Sequence, residues 1–246
     1  MNLKSKKEIK IMQQGGKKLK KVLDFLTKFV KPGTKTKDLE ILAKQKISEL
    51  GGKPSFLGYR GYPAAICVSI NDEVVHGIPS NRVIKQGDIV SLDLGFEYKG
   101  FHTDSATTMG VGKIKPKYQK LIFQAKKALD LAILEVKPEN HISDIGFIIQ
   151  NTIEKAGFSP ITDLSGHGIG KTVHEEPAVL NFGQKGKGQK FLPGMTFTIE
   201  PMVAENKPQI ETKKDGWTIK TLDGGISTHF EHTLVVTKKG FLILTA

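Results

Sequence analysis

The chain repeats its own order of elements. The stretch KPGTKTKDLEILAKQKISELG, beginning at Lys31, can be laid over KPENHISDIGFIIQNTIEKAG, beginning at Lys137. Lys31 then meets Lys137, Pro32 meets Pro138, Asp38 meets Asp144 and Gly51 meets Gly157, with the same offset of 106 each time. Both copies have the same surroundings: an amphipathic helix, a Lys-Pro break, a second helix, a glycine and then strands. Ile9, Met12, Leu19, Val22, Leu23, Leu26 and Phe29 recur at helical spacing until Lys31-Pro32-Gly33 stops the run. Thr36 is the expected N-cap of the next helix, with Leu39, Leu42, Ile47 and Leu50 inward. Tyr118, Leu121, Ile122, Ala125, Leu129, Ala132, Ile133 and Val136 mark a third helix, and Ser143 is the expected N-cap of a fourth. The class is therefore α+β, with two halves of approximate two-fold symmetry, roughly 4–112 and 115–246. Strands joined in one curved antiparallel sheet with helices outside satisfy both halves, and leave an open inner face between them. No low-complexity linker interrupts the chain, so 1–246 is expected to be a single compact domain.

A chain of 246 residues can bury a full core. It contains no run of about 18 apolar residues, so no membrane span is expected, and the Lys-rich start lacks the apolar block of a signal peptide. One cysteine, Cys67, cannot form an internal disulfide, which agrees with a reducing compartment and a cytoplasmic location. A net charge of +12 leaves nucleic acid or a ribosome surface conceivable as a partner. Lys4, Lys6, Lys7, Lys10, Lys17, Lys18, Lys20 and Lys21, however, read as the solvated face of the first helix.

Ionisable groups stand where folding alone does not ask for them. In VSLDLGFEYKGFHTDSATTM, Val90, Leu92 and Leu94 share one strand face and Asp93 lies on the other. If Tyr98-Lys99 form the turn, Asp104 lies directly across from Asp93. Like charges at Cβ separations of roughly 4.5–5.5 Å need something positive between them, a screened lysine or a metal. In LSGHGIGKTVHEEP, Gly166, Gly168 and Gly170 allow tight backbone geometry around His167, and His174 follows. This is neither a dinucleotide loop nor a Walker loop, and HEEP lacks the second histidine of HExxH. A glycine-rich turn with a hydrogen-bonded histidine is the bland reading. MTFTIEPM sets Glu200 opposite its apolar face, and STHFEHTLVV sets His229, Glu231 and Thr233 against Phe230, His232, Leu234 and Val236. Singly, each acid reads as a solvated strand residue. Two Asp, two Glu and one His on a repeated scaffold make an oxygen-rich set that two divalent ions about 3.5–4 Å apart would neutralise. Carboxylate and imidazole suit Mn, Fe, Co or Zn, and the absence of thiolates argues against a structural zinc.

With GYPAAICVSINDEVVHGIP, DLG, HTDSATTM, SGHGIGKTVHEEP, FTIEPM, KDGWTIKT and FEHT in this order, almost the whole chain resembles the type I methionine aminopeptidases, of the creatinase or pita-bread fold. The resemblance implies metal ligands at Asp93, Asp104, His167, Glu200 and Glu231. It implies His76 and His174 beside the scissile bond, Glu200 as proton carrier, and Trp217, Tyr59, Tyr62 and Cys67 around the substrate methionine. The implied reaction is dinuclear-metal-activated hydrolysis that frees the N-terminal methionine of nascent polypeptides when the second residue is small. Asn2 is not small, so Met1 is expected to be retained.

Phe56, Val173, Phe230 and the AENKPQIETK stretch depart from the family as usually met, which bears on pocket shape. The resemblance is to the short bacterial form, for which the zinc-binding extension of eukaryotic relatives is not expected. A proline-directed peptidase of the same fold and a basic ribosome- or RNA-binding relative are the alternatives. The former usually carries a large additional N-terminal domain, and the latter has lost ligands that are complete here. A monomer with transient ribosome association, and no specific nucleic-acid or membrane partner, is the expectation.

Overall fold

The computed structural model describes residues 2–246; Met1, and with it the expected retention of that residue, lies outside the described residues. All four expected helices form: α1 (Lys6–Thr27), α2 (Thr36–Glu49), α3 (Pro116–Ile133) and α4 (Ile142–Lys155). A capping box starts α1, Ser5 Oγ accepting from the Glu8 amide and Glu8 accepting from the Ser5 amide at 2.8 Å. Its inward stripe includes Met12, Leu19, Val22, Leu23 and Leu26, each buried and each contributing about 1.5–3 kcal/mol on leaving water.

Both expected serine/threonine caps are corrected. Lys35 is the N-cap of α2, and Thr36 is its first helical residue. The Thr36 hydroxyl accepts from the Ser80 amide at 2.8 Å and donates to the Ser80 carbonyl at 3.1 Å. His141 precedes α4, its amide donating to Asp144 at 2.8 Å, while Ser143 Oγ accepts from the Gln184 amide at 3.0 Å. In both cases a neighbouring loop had an orphan amide nearer the hydroxyl than the helix did. The lysine face is also corrected in part. Lys6, Lys7, Lys10, Lys17 and Lys21 are exposed, but Lys4 is buried against Glu175 at 2.6 Å and Lys18 lies over the Tyr98 ring.

In the first half run β1 (Lys53–Pro54), β2 (Cys67–Ile70), β3 (Glu73–Val75) and the long hairpin β4 (Ile89–Tyr98) and β5 (Phe101–Gly110). The second half holds β6 (Ser159–Pro160), β7 (Ser165–Gly168), β8 (Glu175–Leu180), β9 (Thr196–Ile199) and β10 (Met202–Ala204). There follow β11 (Ile210–Thr212), β12 (Ile219–Thr221), β13 (Ser227–His229), β14 (His232–Thr237) and β15 (Gly240–Ile243). The sheets run β1-β4-β2 with β5 on β4, then β15-β14-β9-β7-β8, β13-β10-β6 and β11-β12-β3. Every ladder between them is antiparallel. The AENKPQIETK stretch becomes β11 and its approach, a ribbon that reaches the first half by pairing β12 with β3.

Each helix pair covers its own strands. Leu19, Leu26, Leu39 and Ile47 pack on Val68, Ile70, Leu92 and Phe96, and Leu121, Leu129, Ile145 and Ile149 pack on Val179, Phe197, Ile199 and Leu234. No ladder joins β5 to β14. That seam is closed mostly by side chains: Thr233 Oγ1 accepts from the Asp104 amide at 2.9 Å and donates to its carbonyl at 2.7 Å. Ser105 Oγ donates to the Glu231 carbonyl at 2.8 Å, and the Glu231 amide donates to the Ala106 carbonyl at 3.0 Å. No helix among the described residues is long and apolar enough to cross a membrane.

Candidate metal centre

The hairpin turns one residue later than the sequence suggested. Lys99 and Gly100, with φ of 51° and 79°, form the turn, as a two-residue loop with two left-handed positions requires, and Gly100 was its signal. Asp93 therefore faces Ala106 and Asp104 faces Gly95. The slip is two residues, so both carboxylates keep the same face, set diagonally rather than directly opposed.

The two glutamates occupy gaps instead of strand interiors. Glu200, followed by Pro201, lies between β9 and β10, and Glu231 lies between β13 and β14, where the chain passes from one sheet to another. His167 comes from β7. Gly166 and Gly168 serve it by close approach and not by left-handed backbone: a Cβ would come 2.6 Å from the Thr198 carbonyl at Gly166 and 2.2 Å from the Glu176 carbonyl at Gly168. His167 Nδ1 lies 3.0 Å from the Gly168 carbonyl. Donation there leaves the Nε2 lone pair free for a metal.

Asp104, His167 and Glu231 offer ligand atoms that all lie within 4.8 Å of one another. His167 Nε2 is also 3.5 Å from Glu200 Oε1, which accepts from Thr198 Oγ1 at 2.7 Å. Asp93, Asp104, Glu200 and Glu231 are all buried, and Asp93 Oδ1 and Asp104 Oδ1 have no protein partner. Burial, with the neighbouring carboxylates adding to it, pushes the Asp93 and Glu231 carboxyls well above the usual range. Burial likewise raises Asp104 to about 6, partly opposed by His167. For Glu200 burial acts upward, but His229 and His167 outweigh it and hold the carboxyl low. Unsatisfied buried carboxylate oxygens beside an imidazole nitrogen fit divalent ions that favour O and N donors.

These acids floor a pocket of ≈ 310 Å³ that also exposes His76, His174, Tyr59, Tyr62, Cys67 and Trp217. Phe56, Tyr62 and Cys67 form its apolar wall, backed by Ala64 and Val173, with Trp217 edge-on to Tyr62 at 5.2 Å. Cys67 pairs with Asp93 across β2 and β4, and burial keeps its thiol protonated. His76 is held at φ 59°, a left-handed strain of order 1–3 kcal/mol of the kind that collects at functional sites. His174 packs on His167 with ring centroids 4.1 Å apart, and its Nδ1 lies 2.9 Å from the Tyr59 hydroxyl. Burial, then the His167 ring, lowers His174 to about 4, and burial also lowers His76, so both are neutral imidazoles near pH 7.

Residues 10–238 match the model of metallopeptidase family M24. Methionine aminopeptidase of Clostridium perfringens is 42% identical over 243 residues, covering 99% of this chain and 98% of the relative. Methionine aminopeptidase 1 of Bacillus subtilis is 41% identical, covering 98% of each. The chain belongs to the methionine aminopeptidases of family M24. The crystal structure of the Thermotoga maritima methionine aminopeptidase superposes with a TM-score of 0.98 at 41% identity, covering 100% of this chain and 99% of that one. A prolidase from Pyrococcus furiosus, at 21% identity and a TM-score of 0.81 over 99% of this chain and 65% of that one, shares the fold alone, the pita-bread architecture.

Within this M24 site, sequence reasoning passed over Arg60, Asp163 and His229, which line the pocket. Arg60 stands at φ 50° in the tight turn Tyr59–Gly61, with its guanidinium 5.5 Å from the Tyr59 ring centroid; the GYRGY run was the signal for such a turn. The departures separate. Phe56 lines the pocket and Val173 packs in the apolar cluster behind it, whereas Phe230 packs into the core of the second half. Phe230 therefore does not shape the pocket.

Proposed function

We propose that the chain removes the N-terminal methionine from polypeptides whose second residue is small, with Asp93, Asp104, His167, Glu200 and Glu231 holding two divalent ions. The observation that supports it most strongly is the meeting of four buried carboxylates and one histidine beneath a single apolar-walled pocket. When bound, the ions supply Lewis acidity and a water of lowered pKa. The two halves act together as one catalytic unit, because β4, β5, β7 and the gaps after β9 and β13 each bring a ligand.

Tyr62, Cys67, Phe56 and Trp217 offer the methionine side chain an apolar, aromatic wall suited to a thioether. Neutral His174 can accept from the Tyr59 hydroxyl at Nδ1, which puts its proton on Nε2, ready to donate to the substrate carbonyl as negative charge develops there. His76, also neutral, is set to hydrogen-bond the scissile amide nitrogen. Glu200, whose carboxyl is held low, takes the proton of the attacking water and passes it to the leaving amine. The chain works in the cytoplasm as a monomer. Its exposed lysines on α1 and net charge of +12 favour transient docking on the ribosome, where such substrates emerge.

The test is release of methionine from Met-Ala-Ser by purified protein, with chelator and after restoring single metals without oxygen. Chelator should abolish release and at least one of Co, Mn, Fe or Zn should restore it. Release that ignores chelator, or that no divalent ion supports, overturns the proposal.

A further inference from the structure

His229 is buried in the pocket wall and belongs to none of the roles above. It is 2% exposed, and neither ring nitrogen has a hydrogen-bond partner among protein atoms. Its backbone is fixed without the ring: the amide donates to Thr108 Oγ1 at 2.8 Å, the carbonyl accepts from the same hydroxyl at 2.7 Å, and the residue pairs with Met202. A leucine could fill the space with no desolvated nitrogen, so packing alone does not account for an imidazole here. What the ring does face is Glu200, with Nε2 3.5 Å from Oε2. The other oxygen, Oε1, is already engaged by Thr198 at 2.7 Å and faces His167.

We infer that His229 is a positioning residue of the metal centre, its Nε2–H directed at Glu200 Oε2 so that the carboxylate is held from both ends and presents a fixed edge to an ion. The separation is long for a hydrogen bond. No other acceptor among the described residues competes for the proton, so Glu200 is the group this ring steadies. The inference rests on the metallopeptidase reading and deepens it. Groups that orient a ligand in this way typically change metal affinity by about 10–100-fold when removed.

Metal-free wild-type protein, His229→Leu and His229→Gln are titrated with Co²⁺ by calorimetry and visible absorption. Wild type should take two ions. His229→Leu should bind one of them about 10–100-fold more weakly with an altered cobalt spectrum, and His229→Gln, which keeps an N–H donor, should recover most of the loss. Metal-free His229→Leu should melt close to wild type, because a desolvated, unpartnered Nδ1 is gone along with the long contact to Glu200. His229→Met takes its place if the leucine variant is insoluble. Equal binding of two ions by wild type and His229→Leu sinks this inference alone, as does a glutamine variant as weak as the leucine one. A metal-free variant that melts lower yet binds cobalt normally returns His229 to packing. Wild type that takes up no ion removes the metallopeptidase reading and this inference together.

Discussion

The Tyr59 hydroxyl lies 2.9 Å from His174 Nδ1, with the two rings stacked at 5.1 Å. A residue expected to do no more than line the pocket thus orients the His174 ring, and a hydroxyl donating to Nδ1 would place the imidazole proton on Nε2. Tyr59→Phe should keep the stack and lose the hydrogen bond, lowering kcat by about 3–10-fold with KM little changed, the equivalent of a net bond of about 0.5–1.5 kcal/mol. His174→Ala should cost about 10²–10³ in kcat. Steady-state kinetics on Met-Ala-Ser decide both, and an unaltered kcat in His174→Ala removes its assigned role.

Asp104→Asn should move stability and function in opposite directions. The substitution removes one charge from a buried set of four carboxylates, so the metal-free protein should melt at a higher temperature than wild type. Ion binding and methionine release should fall steeply. A lower melting temperature in the metal-free variant would contradict the view that these acids repel one another in the absence of cations.

Buried Lys4 pairs with half-buried Glu175 at 2.6 Å, one residue from His174. Burial acts to raise the Glu175 carboxyl, but the bond from Lys4 and the amides of Thr172 and Lys171 outweigh it, so the group is held below its ordinary value. A depressed carboxyl contributes stability that is present above the unfolded pKa and is lost as pH falls through the folded one. Lys4→Met should therefore destabilise by about 2 kcal/mol at pH 7. This lies under the 3–5 kcal/mol of a fully buried pair because Glu175 is partly exposed and retains its amide donors. The difference from wild type should shrink as pH falls below the ordinary glutamate range, through the lowered folded value. Urea unfolding of both proteins across that range measures it, and a difference that grows on acidification has the wrong sign.

Gly16, inside α1, should not tolerate alanine. Helix propensity favours the change by about 1 kcal/mol, but a Cβ there would come 2.1 Å from the Leu244 carbonyl oxygen, a backbone atom that cannot turn away. Gly16→Ala should lose about 1–3 kcal/mol net. A thermal melt equal to or above that of wild type would show that the helix can lift off the C-terminal segment freely.

Asn2 is too large for an enzyme that requires a small second residue. Protein isolated from its native host should therefore keep Met1, and intact mass spectrometry reads this directly. Loss of Met1 would count against the size rule.

The four helices and the alternation that turns Asp93 away from the apolar face were legible because periodicity is a local property that burial enforces, whereas Glu200 and Glu231 lie in gaps that alternation does not describe. Caps and turns were less so. Thr36 and Ser143 could cap by residue type, but their hydroxyls serve loops that sequence spacing cannot bring near. The hairpin register depended on reading Lys99-Gly100 as the turn, and the glycine carried that information. A finer echo between the halves was also readable. Asp93 follows Gly87 by six residues and Glu200 follows Gly194 by six, both glycines at positive φ before an alternating strand. His229 was placed on the right face by alternation, yet its importance became visible once its unpartnered nitrogens and its distance to Glu200 were known.

The seam between β5 and β14 sets a schedule for biosynthesis. Thr233 and Glu231, which clasp Asp104 and Ala106, are added near the end of translation, more than a hundred positions after the strand they hold. Each half can collapse on its own helix pair earlier, but the catalytic cavity cannot close until nearly the whole polypeptide has left the ribosome. The cavity is therefore among the last parts of the fold to be assembled, complete only when the final strands have docked.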